Sequence, residues 1–390
     1  HPVISYCGAA QGDLPKVKAY YRFIEQPDEG AVTPSNILLP HREQTIRRMK
    51  AERTVLCVQD GSDLNYSRLA DCPGLGDIGT NQTGATSGGL HLHSTLALTE
   101  DGLPLGVLQS QCTAPEFDEE HKTRKPIEIP IEEKKTFAWI EGIRDCMDIK
   151  AQMPHTRLIN VMDREADFFE LFDEQRHHCS GVEVLVRAKH DRVTTGEKKL
   201  FETIRCSAVK SQIEIAVPRQ SARAKKSKQK AREKRPVRIA KVSLRYRQVE
   251  IEPACQHKDK EPITLWVVHI REQKPPRNAA RVEWFLLTTI AVESTEDALN
   301  CLNWYKLRWR IEDWHRVLKS GCGVEKLLHK TAERLKRAVA INTVIAWRIM
   351  LMTLLGRETP SLPAEIMFSD LEIKVLNAYA QKKTLTSPTR

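Results

Sequence analysis

Two short apolar strand patterns on either side of a long helical pattern most constrain how this chain folds. Residues 54–59 (TVLCVQ) are β-branched and apolar, residues 132–151 have helical periodicity, and residues 157–162 (RLINVM) have the composition of a buried strand. Strand, helix and strand in this order predict a crossover connection and a parallel pairing. Asp60 follows the first strand and Asp163 follows the second, so both side chains would project from one edge of the sheet.

Strand patterns also dominate the segments around this unit. Residues 91–98 and 105–112 predict an antiparallel meander with the first strand, after a loop rich in Gly and Asn at residues 60–89. Residues 182–289 form a long β-rich block. It is interrupted at 219–235, where nine of seventeen residues are Lys or Arg and one is Glu. This composition predicts a mobile basic loop, either a solvated hairpin tip or a contact with phosphates.

Helical patterns occupy the rest of the chain. Residues 14–53 predict helices that are broken between residues 27 and 40. Residues 295–356 predict a continuous helical region. Ser294, followed three residues later by Asp297, is a suitable N-cap for that region.

The net charge of the 390-residue chain is +10. This charge favours an anionic partner, and nucleic acid is the commonest one for a protein without a membrane segment. The longest apolar run, residues 338–355, contains Asn342 and Arg348 and therefore predicts a core helix rather than a membrane span. Ten cysteines occur without any CxxC spacing, which indicates neither a zinc site nor a disulfide framework. Reduced thiols and the lack of a signal-peptide pattern favour a cytoplasmic protein.

The predicted helix over residues 304–319 separates its side chains into two faces. At about 100° per residue, one stripe contains Tyr305, Arg308, Trp309, Glu312, Arg316 and Lys319. The opposite, apolar stripe would face a core and contains Trp304, Leu307, Ile311, Trp314 and Leu318. By itself the polar stripe is compatible with a solvated basic face in which Glu312 pairs with Arg308 or Arg316. The alternative is a functional surface in which one carboxylate lies among three cations.

Glu312 would join Asp60 and Asp163 if this helix crosses the same edge of the sheet. Three converging carboxylates repel one another, and a hard divalent metal is the usual remedy. Two Mg²⁺ ions about 4 Å apart can activate a water or hydroxyl and stabilise the leaving oxygen of an in-line phosphoryl displacement. Taken singly, either aspartate is more often a turn residue or a helix cap, so only the combination predicts a metal site.

Several motifs resemble the DDE transposases of bacterial cut-and-paste insertion sequences, in particular the subgroup with a Y-R-E-K signature. The motifs are Gln59-Asp60, DREAD at 163–167, VRAKH at 186–190, WFLLT at 284–288, RWRIEDWH at 308–315, and the spacing YxxRxxxExxxxxxK that ends at Lys319. Their order and spacing agree together, and the likeness extends from about residue 19 to residue 364.

This resemblance implies an α/β fold: a ribonuclease H-like mixed sheet flanked by helices, with a β-rich insertion between the second Asp and the Glu. It implies that Asp60, Asp163 and Glu312 are catalytic and hold two Mg²⁺ ions, for which Mn²⁺ would substitute. The residues implied to contact DNA are Tyr305, Arg308, Lys319, Arg187, Trp284 and Trp309. Arg316 is added because it lies on the same helix face.

Trp284 has a special place in this resemblance. It stands where the family has a tryptophan that stacks on a base extruded during hairpin formation. A flipped base needs an aromatic platform, with cations to hold the distorted backbone. The alternative is that Trp284 is a core residue of a strand.

The resemblance also divides the chain into parts. They are an N-terminal helical segment at 1–53, a catalytic core at 54–181 and 290–357, the β-rich insertion at 182–289, and the start of a truncated C-terminal region at 358–390. The expected function is strand cleavage, hairpin formation and strand transfer on the double-stranded DNA of transposon ends and target. A homodimer associated with a bacterial nucleoid, without a membrane, is expected. Two alternatives are a DNA-binding inhibitor derived from a truncated transposase and a ribonuclease H-like nuclease without strand transfer.

Overall fold

One mixed ten-stranded sheet organises the part of the chain that the computed structural model describes, which is residues 6–69, 71–80, 86–115, 129–196, 198–219, 222, 234–277 and 279–385. The strands are β1 (Thr54–Asn65), β2 (Gly76–Thr80), β3 (Thr86–Thr99), β4 (Pro104–Thr113), β5 (Arg157–Met162), β6 (Glu183–Arg187), β7 (Ser211–Val217), β8 (Arg238–Ile251), β9 (Ile263–Glu272) and β10 (Glu283–Thr288). Their order is β2–β3–β1–β5–β6–β10–β9–β8–β7, and β4 also pairs with β3.

Helices flank this sheet. They are α1 (Tyr6–Ala9), α2 (Leu14–Ile24), α3 (Pro34–Met49), α4 (Phe137–Lys150), α5 (Phe169–His178), α6 (Leu200–Arg205), α7 (Thr295–Leu307), α8 (Trp309–Arg316), α9 (Ala332–Glu358) and α10 (Asp370–Leu385). A π-helical segment, Val317–Gly321, continues α8. A mixed α/β fold with a large mixed sheet between helices is therefore confirmed.

The two faces of the sheet are covered by separate cores, because successive side chains of a strand point to opposite sides. Leu56 and Val58 of β1 belong to a core that includes Ile311 of α8. Val55 and Cys57, which alternate with them, belong to a second core that includes residues of α4. Strand β1 is thus buried on both faces, as expected for a central strand that has a parallel neighbour.

The strand, helix and strand order correctly predicted the central pairing. Strands β1 and β5 are parallel, from Thr54 opposite Arg157 to Val58 opposite Val161. The meander of β1, β3 and β4 is antiparallel as predicted. Helix α4 begins at Phe137, later than the predicted start at residue 132.

Strand β1 is longer than predicted. We expected it to end before Asp60, but it continues to Asn65 because residues 55–65 pair with β3 over its whole length. The predicted loop at 60–89 therefore contains the second half of β1 as well as β2 and the start of β3. Long-range pairing, rather than local composition, sets the length of a strand.

The helical regions are more interrupted than predicted. The region at 295–356 breaks at Arg308 and again between the π-helical segment and α9, where Gly323 has a φ of 67° that suits glycine. At the N-terminal end, the predicted break lies between α2, which ends at Ile24, and α3, which begins at Pro34, but it is shorter than predicted and α3 includes Pro40. Thr33 caps α3 by accepting from the Asn36 N–H, and Pro34 occupies its first turn.

The β-rich block extends the central sheet. Strand β6 is parallel to β5, and β10, β9, β8 and β7 follow it in antiparallel order. Of the basic loop predicted at 219–235, residues 220, 221 and 223–233 lie outside the described residues.

Helix α9 contains the long apolar run. By length and composition it could cross a membrane, but 56% of its most apolar window is buried inside the protein. Ala338, Val339 and Leu354 are among its residues with almost no exposed surface. This burial is typical of the core helix that the sequence predicted.

Candidate active site

The parallel pairing of β1 with β5 places Asp60 beside Asp163. The last paired residues are Val58 and Val161, and each aspartate lies two positions beyond its paired valine. Strand β5 ends at Met162 while β1 continues, so both carboxylates lie where the two strands part. The Asp163 carboxylate is one of the groups that raise the pKa of Asp60, which requires the two charges to be close.

Arg308 connects Glu312 of helix α8 to Asp60 of strand β1. Nη1 of Arg308 donates to Oδ2 of Asp60 at 3.2 Å, and Nη2 donates to Oε1 of Glu312 at 2.5 Å. Arg308 therefore joins a carboxylate of the sheet to a carboxylate of the helix. Asp60, Asp163 and Glu312 are called the carboxylate cluster below.

The cluster holds more negative charge than its surroundings balance. Burial, together with the neighbouring Asp163 and Glu312 carboxylates, raises the pKa of Asp60 to about 7 against the lowering effect of Arg308 and of the Gly61 N–H. A carboxyl group that touches an arginine normally has a lowered pKa. The raised value at Asp60 therefore shows that one guanidinium does not compensate for three acidic groups and burial.

The carboxylate cluster suits a hard divalent cation. Three carboxylates offer oxygen ligands alone, which Mg²⁺ and Mn²⁺ prefer, and the raised pKa of Asp60 marks charge that such an ion would balance. In the described parts of the chain, no group of three or more His, Cys, Asp or Glu side chains has the spacing to hold a metal ion as it stands. The Arg308 guanidinium lies between Asp60 and Glu312 in this arrangement.

An aromatic and cationic wall adjoins the cluster. The ring of Trp284 lies 5.6 Å from that of Tyr305 in an edge-to-face arrangement, and the guanidinium of Arg187 lies 5.5 Å from the centre of the Trp284 ring. Tyr305 is buried. Burial is the main cause of its raised pKa, and the Asp163 carboxylate also raises it. Three of the predicted DNA contacts are thus together beside one member of the cluster.

Of the four remaining predicted contacts, all from the polar stripe, Arg308 joins Asp60 to Glu312 and the other three diverge. Trp309 is 59% exposed, with the Arg308 guanidinium 5.2 Å from its ring centre. Lys319 donates to the Asp63 carbonyl at 2.6 Å, on the part of β1 beyond Asp60. Arg316 forms an ion pair with Asp313 and lines a groove of about 500 Å³ between α8 and α9. The change from α-helix to π-helix after Arg316 separates residues that a regular helix would align.

Comparison with known proteins gives a family for part of the chain. Residues 159–348, which are 190 of the 390 residues, match the family described as Transposase DDE domain. This match supports a DDE transposase. It contains Asp163 and Glu312 together with the wall of Arg187, Trp284 and Tyr305, whereas Asp60 lies before it.

A solved transposase was also found in this comparison. The cryo-EM structure of the piggyBac transposase synaptic complex with hairpin DNA has a TM-score of 0.38 and 9% sequence identity, and the alignment covers 91% of this chain and 60% of that one. This chain thus spans about three fifths of the length of that protein.

Behind the carboxylate cluster lies a buried polar network that the sequence did not predict. Gln59 is hydrogen-bonded to a residue on each neighbouring strand. Its Oε1 lies 3.1 Å from Nε2 of His93, and its Nε2 donates to Oδ1 of Asn160 at 3.0 Å. Burial lowers the pKa of His93 to about 3, so this imidazole is neutral. The network ties β3, β1 and β5 together next to Asp60. Its signal in the sequence is a polar residue inside an otherwise apolar strand.

Gly142 of α4 permits this network. A Cβ at that position would lie 2.2 Å from Oε1 of Gln59, so any larger residue would displace the Gln59 amide. The helix therefore packs its backbone directly against the polar layer under the carboxylate cluster.

Asp167 fixes the loop that follows Asp163. Its buried carboxylate accepts from the backbone N–H groups of Lys189 and His190, at 2.6 and 2.9 Å. It also accepts from Arg192 at 2.6 Å. The end of β5 is thereby joined to the segment after β6, which positions Arg187. The motif containing Asp167 was recognised in the sequence, but this role for its last residue was not.

Proposed function

We propose that this chain is a metal-dependent DNA transposase with a ribonuclease H-like core. The observation that supports this most is the approach of Asp60, Asp163 and Glu312 at the point where β1 and β5 part. Asp60 and Asp163 come from adjacent parallel strands and Glu312 comes from a helix. Carboxylates in this arrangement can hold divalent ions at a phosphate.

Asp60, Asp163 and Glu312 would hold two Mg²⁺ ions, and Mn²⁺ would substitute. When bound, the ions would activate the attacking oxygen and stabilise the leaving oxygen of an in-line displacement at phosphorus. The backbone supports two of these side chains: the Gly61 N–H donates to Oδ1 of Asp60 at 2.9 Å, and the Glu165 N–H donates to Oδ1 of Asp163 at 2.7 Å. Both contacts fix the carboxylates before DNA arrives.

The proposed reaction uses the same site for every step. Water first cuts one strand at the end of the element and leaves a 3′ hydroxyl. This hydroxyl attacks the opposite strand to form a hairpin, water reopens the hairpin, and the 3′ end then attacks target DNA. Each step breaks one P–O bond and forms another, so no energy-rich co-substrate is needed. The hairpin and the cut-and-paste outcome follow the resemblance to insertion-sequence transposases with the Y-R-E-K signature.

The wall beside the cluster is proposed to hold the distorted DNA end. Trp284 is half-buried and keeps a cation, Arg187, over its ring. A base that stacks on Trp284 would place the adjoining phosphates near Arg187 and Tyr305, while Arg308, Arg316, Lys319 and Trp309 contact the strand further along. Stacking and cationic contacts of this kind bind single nucleotides without reading their sequence. Transposon ends and target DNA are the proposed partners, in a homodimer.

A denaturing gel tests the proposal. Labelled duplexes made from the DNA that flanks the gene are incubated with the chain in Mg²⁺, Mn²⁺ or Ca²⁺. A transposase gives a nick, then a hairpin, then joined products, with Mg²⁺ and Mn²⁺. A nuclease of the same fold gives nicks but no hairpin, and a DNA-binding regulator gives a shifted band without any cut strand. Either of these last results would contradict the proposed function.

A further inference from the structure

We infer that Arg308 is an exchangeable counter-cation: it binds Asp60 and Glu312 when no metal is bound, leaves them when a divalent cation binds, and then becomes free to bind a DNA phosphate. This inference rests on the proposed function, because it concerns the same carboxylates and the same DNA. It adds a coupling between metal binding and DNA binding that runs through one side chain.

The oxygens that a metal needs are the oxygens that Arg308 holds. Oδ1 of Asp60 already accepts from the Gly61 N–H at 2.9 Å, so Oδ2 has more lone-pair capacity to offer a metal. That oxygen accepts from Nη1 of Arg308 at 3.2 Å, and Oε1 of Glu312 accepts from Nη2. A guanidinium between these carboxylates repels a second cation at the same place. The metal and the present position of Arg308 therefore exclude each other.

Arg308 is held firmly by charge but incompletely by hydrogen bonds. Its side chain is only 9% exposed. Its buried Nε has no hydrogen-bond acceptor in the described part of the chain. A guanidinium with an unsatisfied buried N–H regains hydrogen bonds when it moves to water or to a phosphate, which lowers the cost of its release.

The backbone at Arg308 is suited to such a movement. Helices α7 and α8 are interrupted there, with the Arg308 N–H donating to Tyr305 O at 3.1 Å and the Ile311 N–H donating to Arg308 O at 3.2 Å. These contacts span three residues rather than the four of a regular α-helix. The guanidinium also lies beside the exposed ring of Trp309, so the path from the cluster to the surface is short.

Release of Arg308 makes the two binding events cooperative. A metal that displaces Arg308 supplies a free cation for a DNA phosphate, and a DNA phosphate that binds Arg308 leaves the carboxylates free for a metal. Thermodynamic linkage requires each ligand to strengthen the binding of the other by the same factor.

Mn²⁺ binding to the DNA-free chain, followed by the EPR signal of free Mn²⁺, tests the exchange. Arg308→Gln should lower the Mn²⁺ dissociation constant by roughly tenfold, because the metal no longer competes with two charge-assisted hydrogen bonds. Arg310→Gln is the matched control, since Arg310 is on the same helix but pairs with Glu358. It removes the same charge and should change the constant by less than about twofold.

Asp163→Asn separates failure of this inference from failure of the proposed function. If Asp163→Asn leaves Mn²⁺ binding unchanged, the cluster is not the metal site and the proposed function fails. If it weakens Mn²⁺ binding while Arg308→Gln binds no more tightly than Arg310→Gln, the exchange alone is overturned.

Two further measurements do not depend on how well Arg308→Gln folds. In the wild-type chain, Ca²⁺ binding should change the tryptophan emission through Trp309, and the change should disappear in Trp309→Phe. Ca²⁺ at constant ionic strength should strengthen binding of a labelled duplex to the wild-type chain by roughly fivefold. In Arg308→Lys, which keeps the charge but cannot make the bidentate contact, the strengthening should be less than half that factor. Bound Ca²⁺ with unchanged emission, or equal strengthening in both chains, would overturn the coupling.

Discussion

Buried carboxylates have pKa values shifted in opposite directions in the β8–β10 region and in the carboxylate cluster. In the first region, Glu272 is 2% exposed and accepts from both Nη atoms of Arg238 and from the Val282 N–H. The hydrogen bonds from Arg238 hold the pKa of Glu272 below its usual range. In the cluster, burial and neighbouring acids raise the pKa of Asp60 to about 7, although Arg308 is in contact with it.

The difference lies in the ratio of acids to cations. Glu272 has an arginine to itself, so its negative charge is balanced inside the protein. Asp60 shares Arg308 with Glu312 and lies beside Asp163. Groups with strongly shifted pKa values concentrate at functional sites. The rest of the structure supplies the stability that such sites cost. The first region contributes to folding, and the second is proposed to bind a ligand that supplies positive charge.

The largest effect is expected when the cluster loses a carboxylate. Asp163→Asn should reduce Mg²⁺-dependent strand cleavage by roughly a thousandfold or more, because a metal ligand is lost. DNA binding in a gel-shift assay should persist. Glu272→Gln is the control from the other region, and at a temperature where it is folded it should cleave at a rate close to that of the wild type. Undiminished cleavage by Asp163→Asn would exclude the proposed triad.

The reverse pattern is expected for stability. Glu272→Gln should lower the free energy of unfolding by about 2–4 kcal/mol in urea titrations, because it leaves Arg238 without its partner in a mostly buried setting. Glu214→Gln provides the matched control, since Glu214 and its partner Lys241 are 58% and 78% exposed. Its effect should stay within about 0.5 kcal/mol. Equal effects of the two substitutions would show that burial does not distinguish the pairs.

Asp60→Asn is expected to stabilise the metal-free chain. The pKa of Asp60 is about 7 in the folded state against 3.8 for an unperturbed group, so the folded state binds more protons between these values. Stability due to Asp60 therefore falls as the pH rises from about 4 to 7. In EDTA at pH 7, Asp60→Asn should raise the free energy of unfolding by about 1–3 kcal/mol, and the gain should vanish near pH 4.

The stability that Glu272 contributes depends on pH with the opposite sign. Because the pKa of Glu272 is lowered, its stabilising contribution is present above the pKa of the unfolded group and is lost as the pH falls through the folded value. Urea titrations of Asp60→Asn and Glu272→Gln between pH 4 and pH 8 should therefore diverge as the pH rises. Parallel curves would contradict the assignment of surplus charge to the cluster.

A smaller and more selective effect is expected at the wall. Trp284→Ala should slow hairpin formation on a pre-nicked duplex by roughly tenfold, because a stacking platform for the base is lost. First-strand nicking should slow much less. Trp284→Phe keeps an aromatic ring and should restore most of the hairpin rate. Equal slowing of nicking and hairpin formation would indicate a packing role for Trp284 instead.

The sequence predicted the parts of the site that depend on regular periodicity. Parallel pairing of β1 and β5 aligned Asp60 with Asp163, and the apolar stripe of the helix, with Ile311 and Trp314 fully buried, was correct. Both follow from the repeat of a strand or a helix. The stripe is a property of the local chain, and the parallel pairing follows from the order of strand, helix and strand along it.

The features that the sequence did not predict depend on distant contacts. The extension of β1 beyond Asp60 follows from pairing with β3, and the position of Arg308 between two acids follows from packing of α8 on β1. The break at Arg308 and the π-helical segment after Arg316 also invalidate a constant rotation of 100° per residue. The Gln59 network depends on Gly142, whose missing side chain has no pattern of its own.

Asp60, Asp163 and Glu312 are proposed to form one metal site from which Arg308 is displaced. A crystal structure with saturating Mn²⁺, with anomalous differences recorded at the manganese edge, measures this directly. We expect anomalous density in contact with all three carboxylates and Arg308 moved away from Oδ2 of Asp60. Saturating Mn²⁺ without density at these carboxylates, with Arg308 still bound to Asp60 and Glu312, would contradict both the proposed metal site and the displacement of Arg308.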